Sequence, residues 1–390
     1  MDIQDYRVNI PDSDLEDLGR RLALTRWPDE VLGSGWDYGA DLAYVKDLVA
    51  HWRNGFDWRA QEKKINAFHH YRADVDGLGI HFIHEKGKGP NSIPLIITHG
   101  WPGTFFEMLK IIPMLTDPGA HGGDPVDSFD VVVPSLPGYG FSDRPVAPGM
   151  NLAAVAGVWA KLMSEGLGYQ RFAAQGGDWG AGVTARLGAD HADKVMAIHL
   201  TSVSTALFSP YLGPGSSEIT AQEKAYLDER EAWSQGEGGY LHIQSTKPQT
   251  LSYGLTDSPA GLAAWIVDRW RTWGLDEKPE DRRNYYMVDE LLTNIAIYWF
   301  SSGIGSANRL YFENRAKPSH LAKGQRIEVP CGIAIFAQDQ SHPPREWAER
   351  ACNVARWTEM PRGGHFSAME EPQLLAEDIR EFFRQFRHGI

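Results

Sequence analysis

Cysteine is almost missing from this chain of 390 residues, in which Cys331 and Cys352 are the whole complement. Two thiols cannot build a disulfide framework, so a packed core must hold the fold, and a reducing compartment is the natural setting. Both read as plain core residues. Long apolar runs are missing as well, since no stretch approaches the roughly 18 consecutive apolar residues that cross a bilayer. Met1 to Arg7 shows neither the basic nor the apolar region of a secretory signal. The expectation is a cytoplasmic protein with no membrane anchor. Basic residues are in deficit, 38 against 51 acidic, for a net charge of −13. That balance argues against nucleic acid or an anionic membrane as the main partner and favours a small neutral ligand. Internal repeats and low-complexity tracts are absent too.

A hydrophobic content of 42% allows a large core. Residues 1 to about 64 read as helical and polar, with apolar spacing at Leu15, Leu18, Leu22 and Leu24 and again at Tyr44, Leu48 and Trp52, and with a helix start at Pro11-Asp12-Ser13. From Phe68 to His84 the pattern alternates and breaks at Asp76-Gly77-Leu78-Gly79, which predicts a β-hairpin opening a sheet. Short apolar runs follow at Pro94–Thr98, Asp130–Val133, Phe172–Ala174 and Val195–Ile198, spaced for intervening helices, as in a parallel sheet covered on both faces. From Ser202 to Gln325 the strand rhythm stops, and helices are predicted around Ile219–Trp233, Ala260–Trp273 and Asp289–Ser301, an inserted helical cap. Strand-like runs return at Gly332–Phe336 and Ala355–Trp357, and an amphipathic helix over Pro372–Phe386 closes the chain.

The chemistry centres on Gln175-Gly176-Gly177-Asp178-Trp179-Gly180. The flanking pattern predicts strand, sharp turn and helix. The turn reads G-x-D-x-G, with an aspartate where the nucleophile elbow of an α/β-hydrolase holds serine, and no G-x-S-x-G occurs elsewhere. A carboxylate can open a strained ring or displace a halide, leaving an ester that water must cleave. The bland alternative is an aspartate that merely caps a helix. In the α/β-hydrolase order an acid and then a histidine follow the nucleophile from loops after late strands. Asp339, beyond Ile333–Phe336, and His365, after Gly363-Gly364, meet that order. His365 would activate water and Asp339 would orient its ring. Leu200–Ser204, the alternative place for the acid, offers no carboxylate. His99-Gly100-Trp101-Pro102-Gly103 follows a strand where half an oxyanion hole belongs, so the amides of Trp101 and Trp179 are the expected donors. Pro137–Ser142 reads as a structural turn.

Nucleophile and base alone fit a haloalkane dehalogenase as well as an epoxide hydrolase. Halide leaves as a stable anion, whereas an opening epoxide becomes a basic alkoxide and needs a proton donor. A tyrosine, with a reference pKa of about 10, suits that task. Beyond these residues, the chain resembles the microsomal and juvenile-hormone branch of the epoxide hydrolases over nearly its whole length. The resemblance rests on His99-Gly-Trp-Pro-Gly, Gly176-Gly-Asp-Trp-Gly, Gly239-Tyr-Leu-His-Ile-Gln-Ser-Thr-Lys-Pro, Asp257-Ser-Pro-Ala-Gly-Leu-Ala-Ala-Trp and Arg362-Gly-Gly-His-Phe, with Thr25-Arg26-Trp27-Pro28 and Trp58-Arg59 in an N-terminal domain peculiar to that branch. It implies a triad of Asp178, Asp339 and His365, and two cap tyrosines, Tyr240 and Tyr311, that donate to the epoxide oxygen. It also implies an α/β-hydrolase fold with a mostly parallel central sheet, a helical cap and an N-terminal helical extension. The divisions fall at 1–90, 91–204, 205–325 and 326–390. The implied reaction takes an epoxide and water to a vicinal diol through an aspartyl ester, with no cofactor and no metal. The rivals are a dehalogenase with the same nucleophile and a non-catalytic binding protein on a hydrolase fold. In two respects the chain departs from its mammalian microsomal relatives. Their membrane-anchoring segment has no counterpart here, and Phe336-Ala337-Gln338-Asp339 carries a shorter acid than their usual glutamate.

Overall fold

The alternating stretch near residue 70 folds as expected. In the computed structural model, β2 (His70–Val75) and β3 (Leu78–Glu85) form an antiparallel hairpin turned by Asp76 and Gly77, both at positive φ, as a tight two-residue hairpin requires. Residues 1–204, 209–274, 285–318 and 320–389 are described. The hairpin opens a sheet whose other members are β1 (Ile3–Tyr6), β4 (Ile93–Thr98), β5 (Phe129–Pro134), β6 (Phe172–Gly176), β7 (Val195–Leu200), β8 (Ile327–Phe336) and β9 (Cys352–Met360). Their spatial order is β1-β2-β3-β5-β4-β6-β7-β8-β9. Pairing is antiparallel from β1 through β5 and parallel for every pair from β5 to β9. All residues of β4, β6 and β7 are buried, which is why their sequences read as continuous apolar runs and not as alternation. Cys331 and Cys352 are buried, free thiols on β8 and β9.

Several elements differ from the sequence expectation. The N-terminal region is not wholly helical, because Ile3–Tyr6 pairs with β2 in the register Ile3↔Ala73 and Tyr6↔His70. Four residues at a sheet edge offer too short an alternation to recognise. The helices that follow span Asp12–Ala23, Leu42–Asn54 and Trp58–Ile65. Leu18, Leu22, Leu48 and Trp52 are buried on them, but Leu24 lies beyond its helix and is exposed, as is Tyr44. Arg59 ties this region together by ion pairs to Asp12 and Glu62 and a hydrogen bond to the Ile10 carbonyl. The expected cap helices appear as Ala221–Glu237, begun by a Thr220–Glu223 capping box, Pro259–Trp273 and Tyr285–Phe300. Gly239–Thr246, Pro248–Asp257 and Ile304–Ala316 join them. Residues 205–208, 275–284 and 319 of the expected cap span lie outside the described residues. The closing helix covers Pro372–Phe383 and gives way to a 3-10 turn.

The Pro137–Ser142 turn locks core to cap. Ser142 Oγ donates to the Ser135 carbonyl and accepts from the His81 amide, while Tyr139 donates to the Ala307 carbonyl and Ser306 to the Gly138 carbonyl. Among the described residues no helix is long and apolar enough to cross a membrane.

A buried polar knot fastens the closing helix to the sheet. Asp378 accepts from His199 Nε2 on β7 at 2.9 Å, and from Arg356 Nε and Thr358 Oγ1 on β9 at 2.7 and 2.8 Å. Burial alone would raise its pKa, but these donors outweigh burial and hold it at about 2. An unfolded aspartate titrates at about 3.9. The stabilisation is therefore complete above roughly pH 4 and is lost as pH falls through about 2. Asp378→Ala should lower the unfolding free energy by about 3 kcal/mol or more at neutral pH, because it strands a buried histidine and an arginine. Denaturant titrations between pH 7 and 2 should show that deficit shrinking only in the acid part of the range.

Candidate active site

Asp178 stands between the end of β6 and the helix Trp179–Asp190, with φ 49° and ψ −130°. A non-glycine residue there costs of order 1–3 kcal/mol, and close backbone packing enforces it. A Cβ on Gly176 would lie 2.2 Å from the Gly180 carbonyl oxygen, and one on Gly180 would lie 1.9 Å from that of Thr98. Only glycines let strand, turn and helix approach so closely. The turn thrusts the Asp178 carboxylate toward the loop after β4, where the Trp101 amide donates to Oδ1 at 2.8 Å. The carboxylate is thus divided, with one oxygen held by a backbone donor and Oδ2 left toward His365. The Trp179 amide is in the first helical turn, whose N–H groups have no intrahelical partner.

His99, the first residue of the loop motif, is structural. Its Nδ1 donates to the Gly100 carbonyl, and Nε2 accepts from the Leu136 amide at 3.1 Å. Burial depresses its pKa to about 4, so it stays neutral and keeps this acceptor.

His365 Nδ1 donates to Asp339 Oδ1 at 2.8 Å, and its Nε2 lies 3.5 Å from Asp178 Oδ2, long for a hydrogen bond but close for an ion pair. The His365 amide also donates to the Trp273 carbonyl at 2.8 Å. Burial pushes the imidazole pKa down, yet the charges of Asp339 and Asp178 overcome that and leave it well above the ordinary value. Asp339 is further held by the Gln340 amide at 2.7 Å and by Ser202 Oγ at 3.3 Å. Asp178, Asp339 and His365, far apart in sequence, are therefore brought together in one constellation.

Both cap tyrosines arrive at the same place. Tyr240 stacks flat on Trp101, with centroids 5.2 Å apart and planes at 2°. Tyr311 meets Trp101, Trp179 and Tyr240 edge-on at 5.6, 4.6 and 6.0 Å. Burial, reinforced by the Asp178 charge, raises both phenols above their ordinary pKa, so both keep their protons at neutral pH. Trp179 and Tyr311 also line a cavity of about 660 Å³ between cap helices, with Leu241, His242 and Asn314, a volume suited to an organic ligand. Among the described residues, no group of three or more His, Cys, Asp or Glu is arranged to hold a metal ion.

Sequence reading missed several participants. Ser202 and Gln340 buttress the acid, and Glu370 accepts from the amides of Gly364 and Phe366 at 2.7 and 3.0 Å, gripping the loop on both sides of His365. Glu107 is buried beside Asp178 and His365. An acidic residue inside the apolar run Phe105–Met108 was the one available signal for it.

Gly100 packs directly against Asp178, since a Cβ there would fall 2.3 Å from Asp178 Cβ. Gly100→Ala should therefore keep its circular dichroism spectrum while losing about a hundredfold or more in catalytic efficiency, as a misplaced reacting group does. Steady-state kinetics on a chromogenic epoxide would measure the loss.

Residues 3–108 match the family described as epoxide hydrolase N terminus, and residues 93–236 match the alpha/beta hydrolase fold. Epoxide hydrolase 1 of Sus scrofa is 37% identical over 403 residues, covering 97% of this chain and 88% of the relative. Juvenile hormone epoxide hydrolase 1 of Ctenocephalides felis is 34% identical over 405 residues, covering 99% and 86%. The crystal structure of juvenile hormone epoxide hydrolase from Bombyx mori superposes with a TM-score of 0.87 at 28% identity, covering 99% of this chain and 95% of that one. These relatives favour neither the dehalogenase nor the non-catalytic alternative. The chain belongs to the epoxide hydrolases, enzymes of the α/β-hydrolase fold that add water to an epoxide to give a vicinal diol.

Proposed function

We propose that Asp178, Tyr240, Tyr311, His365 and Asp339 divide this reaction into two half-reactions. The observation that carries the reading is the divided carboxylate, with Oδ1 held by the Trp101 amide and Oδ2 left to attack. In the first half-reaction Oδ2 bonds to a ring carbon and the carbon–oxygen bond of the epoxide breaks. Tyr240 and Tyr311 hydrogen-bond the leaving oxygen, and one of them gives it a proton. A basic alkoxide needs such a donor, and two protonated phenols against Trp101, Tyr311 buried and Tyr240 partly buried, suit it.

In the second half-reaction water attacks Cγ of the ester and passes a proton to His365 Nε2. The amides of Trp101 and Trp179 stabilise the oxyanion. Collapse breaks the bond between Cγ and the alkyl oxygen, which takes its proton from the imidazolium. The remaining water proton leaves Asp178 and restores the phenol. Ester formation also removes the Asp178 charge, one of the causes holding the His365 pKa up. Alkylation thus favours loss of the imidazole proton and prepares the base for the next step.

The cavity beside Tyr311 and Trp179 is where the organic part of a small neutral epoxide would lie. Two buried free thiols support a reducing, cytoplasmic setting.

His365→Gln mixed with styrene oxide should accumulate protein heavier by one substrate, located on Asp178 by peptide mass spectrometry. An active variant free of adduct would remove His365 from this role. Tyr240→Phe and Tyr311→Phe should each slow ester formation by about tenfold to a thousandfold, and the double variant should be slower still. Stopped-flow tryptophan fluorescence can follow that step, since Trp101 and Trp179 adjoin the nucleophile.

A further inference from the structure

A second, much smaller cavity lies on the His365 side of Asp178. Its volume is about 20 Å³, room for one water molecule and too little for an organic epoxide. Asp178, His365, Glu107, Gln175 and Thr201 are among its lining residues, and neither cap tyrosine is. It is therefore distinct from the larger cavity that Tyr311 and Trp179 line.

Two of its polar atoms are buried without a partner among the described residues, Glu107 Oε1 and Gln175 Oε1. Glu107 is only 7% exposed, in the 3-10 helix Phe105–Lys110. An orphaned acceptor inside a protein forfeits its hydration with nothing in return, so a carboxyl oxygen kept there without a partner calls for one. The preceding loop makes space for it, since a Cβ on Gly103 would fall 1.3 Å from Glu107 Oε1. Glycine at 103 and glutamate at 107 thus act together, one clearing the volume that the other's carboxyl fills.

We infer that this chamber stores the hydrolytic water, and that Glu107, assisted by Gln175, is the positioning residue that holds it for His365 to deprotonate. The inference rests on the reading of Asp178 as an ester-forming nucleophile. The water donates one O–H to Glu107 Oε1 and the other to His365 Nε2, which leaves an oxygen lone pair for Cγ of the Asp178 ester. Gln175 Oε1 is the second acceptor that keeps the molecule in place before the ester forms. In the attack the new bond joins the water oxygen to Cγ, and the proton goes to His365. Glu107 loses and gains nothing. Burial, with a contribution from the Asp178 charge, raises the Glu107 carboxyl to about 8. It is thus mostly protonated at neutral pH and retains a carbonyl oxygen as acceptor. The chamber and the larger cavity share no lining residue, so an epoxide in the larger cavity need not displace the water it later requires.

The role predicts a division between the half-reactions. Glu107→Gln, mixed with styrene oxide in a stopped-flow instrument, should form the ester at nearly the wild-type rate. It should then hydrolyse the ester about tenfold to a hundredfold more slowly, as expected for a mispositioned reactant. Ester should accumulate in acid-quenched samples, and kcat and KM should fall together with kcat/KM nearly unchanged. Ala368→Val, which adds bulk to the chamber wall without altering Glu107, should give the same split, so the test survives if the first variant does not fold. Equal slowing of both steps, or unchanged hydrolysis in folded Glu107→Gln, would overturn the inference. Failure of the underlying reading looks different, because then no variant yields an Asp178 adduct, including His365→Gln.

Discussion

The turn at Asp178 is the constraint on which the rest of the site depends. A left-handed aspartate between β6 and its helix persists because Gly176 and Gly180 let the backbone cross itself at distances no side chain tolerates. The core holds the strain, since β4, β6 and β7 are buried throughout and cannot shift to relieve it. With the turn fixed, the loop after β4 can place one backbone donor against one carboxylate oxygen, and His365 can approach the other. If the turn relaxed by one rotation of the chain, both would be lost together.

Charge is the second theme. Four carboxyl groups, Asp178, Asp339, Glu107 and Glu370, surround a single imidazole in a buried setting. They do not share one fate. Asp339 is tied to His365 Nδ1 and to donors from Ser202 and Gln340. Glu370 is tied to two amides of the histidine loop, although burial still raises its pKa. Glu107 has the least compensation and is pushed furthest among the carboxyls toward the neutral form. The imidazole therefore sees two nearby anions, Asp339 and Asp178, that raise its pKa. Under the proposed mechanism, conversion of Asp178 to an ester would remove one of those anions and lower the basicity of His365 between the two steps.

The aromatic lining joins cap to core. Trp101 at once holds Asp178 Oδ1 through its amide and forms the platform for Tyr240 through its ring. Trp273 lies edge-on to His365 and holds the histidine backbone through its carbonyl. Cap residues and core residues are thus mutually positioned around Asp178 and His365. The Pro137–Ser142 turn reinforces this from beneath, by hydrogen bonds into the helix Ile304–Ala316 that carries Tyr311. Displacing the cap would pull Tyr240 and Tyr311 away from Trp101 together.

By itself, the sequence determined what depends on local pattern. Buried strands announced themselves as apolar runs, the hairpin by its Asp76-Gly77 break, and the elbow by glycines flanking an acid, because period and turn chemistry are properties of a few neighbouring residues. Strand β1 escaped notice, as four edge residues show too little alternation, and Leu24 and Tyr44 continued an apolar pattern onto the surface. Tertiary structure alone decided which residues meet. Ser202 reaches Asp339 across 137 positions, and Glu107 comes to share a chamber with Gln175, Asp178 and His365, because parallel strands and their crossovers collect distant loops at one edge of the sheet. A partner separated by such a distance leaves no periodicity to read. Its role follows from burial, distance and the want of another partner, which only the folded chain defines.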